Sequence, residues 1–493
     1  MSLSAQASLI KRLGLPKYRG SYPRVSVTSS SLCDDIIKRL APSLKPYEGC
    51  TIIDHNPGVG LFSSKLHDFL RPRSHVLLEP HWKKHAPYLQ PLLDAPDSHY
   101  HHRDWTDARV RDSSRYEAEG LTPGPGDPAS HATLHIFNSA GSAVRNIRGN
   151  SFPTHVTSAT EFAMDTKKQL NFHARGPTRM LLWCEDGDKK PILPRTIDSR
   201  RKLAFFLEAY CHVNEIVGFG GSEKQAQREQ SLIIASSRMA RQRMRDNDIY
   251  TPPHRAAPAL EVADERDQVI SRYWHEELRD LEASFAAGRH VPDEQPTPEF
   301  ERLRHLRRWR RQDTKEVLPA LELADEQDAI DSLDLESYNP ALSPQRRKEI
   351  TQEIDARTAT LHATIASWPP KKWRRFYYLS DDRRALHMPP GPLLMWDRRA
   401  YEPFTASESE FSPNRKLALL DFQSKPAEEI LPLEGHQHLY YEMLVGAMTS
   451  QGGPTGLHFL KQITPGAYDA LVPKVTEFGD AREGGGGIWR MCG

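Results

Sequence analysis

The chain has 493 residues, which at about 150 residues per domain is enough for two to three domains. Its formal net charge of +1 excludes a uniformly basic nucleic-acid-binding protein but leaves room for local basic patches. Because no run of about 18 apolar residues occurs, we expect no membrane span. The five cysteines are far apart and form no CxxC pair, so we expect neither a metal site nor a disulfide framework.

Residues 1–33 form a basic, serine-containing arm with no acidic residue before Asp34. This composition is typical of mitochondrial targeting segments and predicts a location in the mitochondrial matrix. A basic arm without a targeting role is the alternative. The overlapping stretch 28–40 combines a serine N-cap candidate with Leu and Ile at helical spacing, and it predicts an amphipathic helix.

A strand, a glycine-containing turn and a helix follow one another between residues 51 and 70. The apolar run 51–53 predicts a buried strand, Gly58 and Gly60 lie in the turn, and apolar side chains then recur at helical spacing. This order opens a nucleotide-binding βαβ unit, in which glycines let the backbone approach a ligand at a helix N-terminus. The alternative is a turn without a ligand.

Acidic residues follow the next two predicted strands. The stretch 74–78 predicts a second buried strand, and Glu79 follows it about 20 residues after Gly60, where an acid of a Rossmann-like unit accepts hydrogen bonds from ribose hydroxyls. A strand-ending surface Glu is the alternative. Asp104 ends a third region and is placed to meet an adenine amino group.

The next 100 residues continue the alternation of strands and helices. We predict a surface loop at 111–131, strands at 132–137, 178–183 and 231–236, and a helix at 202–217. The strand at 132–137 is followed directly by Asn138. Alternating elements over about 200 residues predict an α/β sheet with mainly parallel strands.

These residues together resemble the rRNA adenine N6-dimethyltransferase family, most closely its mitochondrial transcription factor B branch of the fungal type. The resemblance implies an α/β fold, a class I S-adenosylmethionine-methyltransferase-like Rossmann sheet with a mainly helical C-terminal domain, and an RNA or DNA substrate held between them. The carrying segments are 54–60 with 63–70, 76–80, 104–105, the strand ending at Asn138, 179–183 and 392–413.

The resemblance and the composition divide the chain into five segments. These are a basic arm with a predicted targeting role at 1–33, a methyltransferase-like Rossmann domain at 34–236, a charged, Arg-rich helical and flexible insertion at 237–364, a helical C-terminal domain at 365–478 and a flexible tail at 479–493. Within the C-terminal domain we predict helices at 439–448 and 455–463.

The resemblance also implies roles for individual residues. In the family the glycine turn passes the methionine part of S-adenosylmethionine, the acid after the second strand holds the ribose, and the acid after the third contacts the adenine. The asparagine after the fourth strand orients the target amine, which would make Asn138 the catalytic residue. The implied cofactor contacts are Asp54, Gly58, Gly60, Glu79, Asp104 and Asn138.

Three signature positions depart from the family pattern. Asn56 replaces the first glycine of the Glu-x-Gly-x-Gly-x-Gly motif, with Asp54 at its acid, and 25–29 replaces a Gln-Asn-Phe-Leu segment. The tetrad that begins at Asn138 has lost the aromatic ring that stacks on an extruded adenine. Stacking is worth about 1–3 kcal/mol per base, and a flipped base needs it to offset unstacking. The departures favour a methyltransferase fold kept for binding.

A first basic cluster outside the predicted sheet has six arginines within 302–311. On a helix, four of them share a face that follows a phosphate backbone. They are Arg304, Arg307, Arg308 and Arg311. The alternative is a solvated helix neutralised by the acids at 316–336.

A second basic cluster begins at residue 371 and alternates cations with aromatic rings. Such a pattern suits single-stranded or opened nucleic acid. Its cations are Lys371, Lys372, Arg374 and Arg375. A buried aromatic anchor with snorkelling cations is the alternative.

Two main hypotheses follow. In the first, the protein is a mitochondrial transcription factor that binds mitochondrial RNA polymerase and promoter DNA, confers promoter selectivity and helps melting. In the second, it is an S-adenosylmethionine-dependent rRNA adenine N6-dimethyltransferase acting on mitochondrial small-subunit rRNA. A ribosome assembly factor that binds this rRNA is a further alternative.

Overall fold

A computed structural model describes twelve stretches of the chain. They are 24–105, 108–124, 127, 131–140, 145–147, 150–152, 154–219, 228–257, 272–287, 297–387, 391–426 and 429–430. The predicted helices at 439–448 and 455–463, the tail at 479–493 and most of the basic arm lie outside these residues.

Strands and helices alternate in the first half, and helices dominate the second. The strands are β1 (Ser26–Val27), β2 (Thr51–His55), β3 (Ser74–Leu78), β4 (Tyr100–Arg103), β5 (Thr133–Asn138), β6 (Arg145–Ile147), β7 (Asn150–Phe152), β8 (Thr178–Glu185), β9 (Cys211–Gly218), β10 (Phe404–Thr405), β11 (Phe411–Ser412) and β12 (Leu417–Ser424). The helices of the first half are α1 (Ser30–Leu44), α2 (Leu61–Leu70), α3 (Trp82–Leu93), α4 (Ser113–Ala118), α5 (Thr154–Lys168) and α6 (Lys202–Tyr210). Those of the second half are α7 (Gln230–Asp246), α8 (Arg272–Ala286), α9 (Pro298–Glu316), α10 (Leu318–Ser337), α11 (Pro344–Ala366) and α12 (Pro370–His387).

One large sheet forms the centre of the fold, with strand order β10-β9-β12-β8-β5-β2-β3-β4. Its neighbouring strands are parallel except that β12 runs antiparallel to both β8 and β9. The predicted Rossmann-like α/β architecture, with a mixed, mostly parallel sheet flanked by helices and a helical C-terminal region, is therefore confirmed.

The sheet is covered on both faces because successive side chains of a strand point to opposite sides. In β2, Ile52 packs with Leu66 of α2 in one apolar cluster, whereas Ile53 packs with Tyr116 of α4 in another. A third cluster joins β8, β9 and β12 to α5 and α6. Near-continuous apolar runs are the expected sequence of strands buried in this way.

The second-half helices have their own apolar core. Val317, Leu361 and Phe376 belong to a cluster that joins α10, α11 and α12, and Leu278 and Leu306 join α8 to α9. Among the described helices, none is both long and apolar enough to cross a lipid bilayer.

The helix predicted at 28–40 is confirmed as α1, with Ser29 as its N-cap accepting a hydrogen bond from the Leu32 amide. The predicted boundary at residue 33 therefore falls inside a helix rather than between an arm and a domain. Part of the loop predicted at 111–131 is helix α4, whose N-cap is Asp112.

Two other element predictions are wrong. Residues 231–236 are not a strand but the start of α7, because Leu232, Ser236 and Ala240 are buried at helical spacing on one face. The helix predicted at 202–217 ends at Tyr210, and the β-branched residues after it form strand β9.

Within the predicted C-terminal domain at 365–478, the chain also returns to the sheet after helix α12. After α12 the chain adds β10 beside β9 and inserts β12 between β8 and β9. Every residue of β12 from Leu417 to Phe422 is buried, so this strand is part of the core of the first domain. The sequence shows no partner for it, because its neighbours lie about 200 residues earlier.

A buried ion pair fixes β12 to its neighbour. The Arg179 Nε and Nη2 of β8 lie 2.7 Å from the two carboxylate oxygens of Asp421, and both side chains are fully buried. Arg179 also donates to the Ser43 carbonyl at 2.9 Å, and Gln423 donates to Asp421 at 2.8 Å. The pair thus joins α1, β8 and β12.

We expect Asp421→Asn to lower the free energy of unfolding by about 3 kcal/mol, because it leaves the Arg179 charge buried without a counter-charge. Denaturant unfolding of the purified chain measures this. The matched control is Glu353→Gln, which removes an exposed partner of Arg357 and should cost less than about 1 kcal/mol. Equal losses for the two variants would contradict the assignment.

Candidate functional site

The predicted pocket residues lie at one edge of the sheet, where β2, β3, β4 and β5 have their carboxyl ends. From β2 the chain moves to β3 on one side and later to β5 on the other, so the strand order reverses there. Ligands of open α/β sheets bind at such a switch point. The glycine turn follows β2, Glu79 follows β3 and Asn138 ends β5.

The turn after β2 keeps its shape although Asn56 replaces the family glycine. Asn56 has φ 62°, in the left-handed region that asparagine tolerates. Its backbone N–H donates to the Leu78 carbonyl at 3.0 Å, and its side-chain amide donates to the Asn138 carbonyl at 3.2 Å. Asn56 therefore connects β2 to the ends of β3 and β5.

The two glycines of the turn leave space for the chain's own side chains. Gly58 has φ 62°, and a Cβ there would lie 2.6 Å from the Ser26 Oγ. At Gly60, which has φ 70°, a Cβ would lie 2.7 Å from Leu89 of α3. The positive φ and the close packing of neighbouring side chains thus favour glycine at both positions even without a ligand.

Asp54 faces the interior of the fold. Its carboxylate accepts a hydrogen bond from Ser63 of α2 and lies 3.7 Å from the Nε2 of His75, and all three side chains are buried. The position predicted as a cofactor contact therefore connects β2 to α2 and β3.

Glu79 is fully buried and already has a cation beside it. The Arg24 Nη1 lies 2.7 and 2.6 Å from the two carboxylate oxygens of Glu79, and the His81 amide donates to Oε1 at 2.8 Å. A charge-assisted contact of this kind is among the strong hydrogen bonds of proteins. The predicted ribose acceptor is thus bound by the N-terminal segment.

Asn138 is also engaged by that segment. Its side-chain amide donates to the Val25 carbonyl at 2.8 Å, and its side-chain oxygen accepts from the Ala140 amide at 3.2 Å. In the next position, Ser139 donates to the Trp183 carbonyl at 2.8 Å, and the Trp183 ring is buried. Neither Ser139 nor Ala140 has an aromatic ring that could stack on a base.

The structure brings most, but not all, of the predicted pocket residues together. The glycine turn, Glu79 and Asn138 are joined through residues 24–26. Asp104 follows β4 and is exposed, and it makes no hydrogen bond with any residue that the structure describes. Sequence reasoning assigned Arg24 and Val25 to a targeting arm; an arginine gives no local sign that its partner is a glutamate 55 residues later.

A stack of rings extends the Asp54 site towards β4. The His67 Nδ1 lies 3.1 Å from the Nδ1 of His75, and the Tyr100 ring stacks on His67 with 4.0 Å between the centroids. Burial, with a smaller effect of His75 and His99, lowers the pKa of His67 to about 4. Burial also lowers the pKa of His75, against the opposing effect of Asp54.

In α9, some arginines of the cluster predicted at 302–311 bind acids of a neighbouring helix, whereas others remain exposed to solvent. Arg307 turns to Glu282 of α8 at 2.9 Å, and Arg302 binds both oxygens of Glu277 at 2.6 Å. Acids therefore neutralise part of the cluster, although they come from α8 rather than from 316–336. The predicted residues Arg304, Arg308 and Arg311 remain exposed, with Arg304 beside Glu301 at 3.3 Å.

The acids at 316–336 bind arginines of other helices. Asp325 and Asp328 bind Arg383 of α12, Asp331 binds Arg384, and Glu326 binds Arg357 of α11. Burial raises the pKa of Asp328, with Arg383 opposing it. These pairs hold α10 against α11 and α12.

The second basic cluster lies in the first two turns of α12. The Lys372 Nζ lies 3.8 Å from the Trp368 ring centroid, and the Arg374 guanidinium lies 5.5 Å from that of Trp373. Lys371, Lys372, Arg374 and Arg375 form no ion pair with an acid in the part of the chain that the structure describes. The aromatic anchor and the cationic surface predicted as alternatives are both present, because the two Trp rings also pack on the helical core.

No protein-family model matches the sequence, and no curated protein matches it as a relative. The function is therefore inferred from the residues of this chain and their geometry.

We expect His67→Phe to make stability less dependent on pH between 6.5 and 4. In this window the unfolded His67 binds a proton and the folded side chain does not, so unfolding becomes easier as the pH falls. Phe keeps the stack but cannot be protonated, and proton uptake on unfolding should fall by up to one. Denaturant unfolding at several pH values measures the slope.

Tyr100→Phe is the matched control for this slope. It removes the hydroxyl of the same stack, and burial raises the pKa of Tyr100 far above the window. An unchanged slope in the His67 variant, or an equal change in both, would show that His67 is not the group responsible.

Proposed function

We propose that this protein is a mitochondrial nucleic-acid-binding factor with a methyltransferase-like fold, which gives mitochondrial RNA polymerase selectivity for promoter DNA and helps the promoter to open. The proposal is carried by one observation: the cations at the start of α12 have no acidic partner among the described residues, and two of them, Lys372 and Arg374, lie beside Trp rings.

The electrostatics of α12 support a binding role for these cations. The N-terminus of a helix carries a partial positive charge, so Lys371 and Lys372 in the first turn are each unfavourable by about 0.3–1 kcal/mol. In α11, by contrast, Arg346 of the first turn lies 3.6 Å from Glu336 and 3.7 Å from Glu349. Cations that cost stability and have no counter-charge among the described residues are suited to an external polyanion.

The rings around these cations favour single strands. Trp368, just before α12, and Trp373, within it, are partly exposed. Tyr378 of α12 is 41% exposed. Aromatic rings beside cations bind bases by stacking and phosphates by charge, without reading the sequence. Opened promoter DNA offers both groups.

The order of the sheet supports the methyltransferase-like part of the proposal. A Rossmann-like sheet is open and mostly parallel, and its strand order reverses at the edge where ligands bind. The described sheet shares both features, with β12 running antiparallel between β8 and β9, and the resemblance of the segments at 54–60 and 76–80 supplies the methyltransferase class of the proposal.

The site itself supports binding rather than methyl transfer. Asn138 donates its amide to the Val25 carbonyl, and the residues after it offer no ring to hold an extruded adenine. Methyl transfer needs the target amine oriented against the sulfonium of S-adenosylmethionine. Asn138 is thus engaged within the protein, and Ser139, Ala140 and Gly141 have no aromatic ring, so these residues do not supply the two orienting contacts that the resemblance implies.

A second candidate is an S-adenosylmethionine-dependent adenine dimethyltransferase of small-subunit rRNA. The observation in its favour is that Glu79 and Asn138 lie at the ends of β3 and β5, on either side of the glycine turn. An rRNA-binding assembly factor would use the same surface without the chemistry.

Replacement of Lys371, Lys372, Arg374 and Arg375 by alanine should weaken binding to a single-stranded oligonucleotide and reduce its salt dependence. The slope of log K against log salt concentration should fall by up to about 3, at about 0.7 per lost phosphate contact. Fluorescence anisotropy at several salt concentrations measures both.

The matched control replaces Arg346, Arg347 and Lys348, which are exposed cations at the start of α11. We expect this variant to bind as the unaltered protein does. Equal weakening by both sets would mean that binding depends on overall charge and that α12 has no special role.

Promoter-dependent transcription with mitochondrial RNA polymerase separates the two candidates. We expect the α12 variant to lose stimulation, and we expect the unaltered protein to transfer no methyl group to an rRNA stem-loop. Methyl transfer to adenine without stimulation of the polymerase would establish the second candidate instead.

A further inference from the structure

Residues 24–26 cross the pocket edge and contact three of its predicted parts. Arg24 reaches Glu79, the Val25 carbonyl accepts from Asn138, and Ser26 lies against Gly58. The Val25 amide also donates to the Ala140 carbonyl at 3.3 Å. In a nucleoside pocket these are the ribose acceptor, the end of β5 and the glycine turn.

Arg24 and a ribose would compete for the same atoms. Both Glu79 carboxylate oxygens lie within 2.7 Å of the Arg24 Nη1, and the Glu79 side chain is fully buried. Ribose hydroxyls and a guanidinium are both donors to this carboxylate, and because the Arg24 Nη1 lies against both oxygens of a buried side chain, the two groups compete for the same space. Because residue 58 is a glycine, the Ser26 side chain can lie against the turn. In a Rossmann-like pocket the ligand occupies the corresponding space beside the turn.

On its C-terminal side the segment is anchored to strand β11. Ser26 and Val27 pair with Ser412 and Phe411 of β11, and the Thr28 amide donates to the Glu410 carbonyl at 2.9 Å. Ser29 donates to the Glu410 carboxylate at 2.8 Å.

Glu410 is itself held by Arg255, whose Nη1 and Nη2 each lie 2.8 Å from a carboxylate oxygen. The backbone is therefore held at Val25 by Asn138 and Ala140 and from Ser26 onwards by β11, whereas the described hydrogen bonds of Arg24 are those of its side chain with Glu79. Arg24 can leave Glu79 without separation of β1 from β11.

We propose that residues 24–26 are an intramolecular occupant of the nucleoside pocket, with the Arg24 guanidinium in the place of the ribose. An adenosine-type ligand then binds only when Arg24 leaves Glu79, so that residues 24–26 control access to the pocket. This inference concerns the pocket alone, so its failure leaves the proposed nucleic-acid surface of α12 unaffected.

Calorimetric titration of the full chain with S-adenosylhomocysteine tests this. We expect Arg24→Gln to bind at least tenfold more tightly than the unaltered protein, because the carboxylate becomes available to the ribose. Arg24→Gln combined with Glu79→Gln should lose this gain. The matched control is Arg73→Gln, which removes a surface cation from Asp127 and should bind as the unaltered protein does.

Equal affinities of the unaltered and Arg24→Gln proteins, including no binding by either, would overturn the proposal. If Arg24→Gln does not fold, amide hydrogen exchange of the unaltered protein tests the proposal instead. Millimolar S-adenosylhomocysteine should then speed exchange of the Val25 amide, because that amide loses the Ala140 carbonyl. Unchanged or slower exchange would overturn the proposal as well.

Discussion

The insertion of β12 between β8 and β9 is the constraint on which the rest of the structure depends. It brings a segment from the far end of the chain into the first domain, and the buried pair of Arg179 and Asp421 fixes it there. A buried pair is costly to break because the remaining charge cannot be solvated. Since α7 to α12 lie between β9 and β12, both ends of this helical segment are held by the same sheet.

The return of the chain to the sheet also positions the pocket. β11 comes just before β12, pairs with β1, and so places residues 24–26 over the glycine turn. The pocket edge is therefore built from three distant parts of the chain: the N-terminal segment, the βαβ unit and the return strand. The Glu79 carboxylate and the side-chain amides of Asn56 and Asn138 have hydrogen-bond partners within the protein, so the geometry of a nucleoside pocket is present while these groups are already engaged.

Charge is distributed unequally between the two basic clusters. The acids of α8 bind Arg302 and Arg307, and those of α10 bind Arg383 and Arg384, so these arginines serve helix packing. At the start of α12 no described acid does so for Lys371 and its neighbours. A near-zero net charge thus coexists with a local surface suited to a polyanion.

The sequence by itself determined the elements that local pattern specifies. Apolar runs marked β2, β3, β5 and β8, a serine N-cap candidate marked the start of α1, and Gly58 and Gly60 marked the turn, because each depends on neighbours in the chain. The run 231–236 misled, since a short apolar stretch suits a strand or a helix equally. Only the tertiary structure decided that Arg24 binds Glu79, that Val25 engages Asn138 and that β12 enters the sheet. Those contacts join residues far apart in sequence, and no local spacing encodes them.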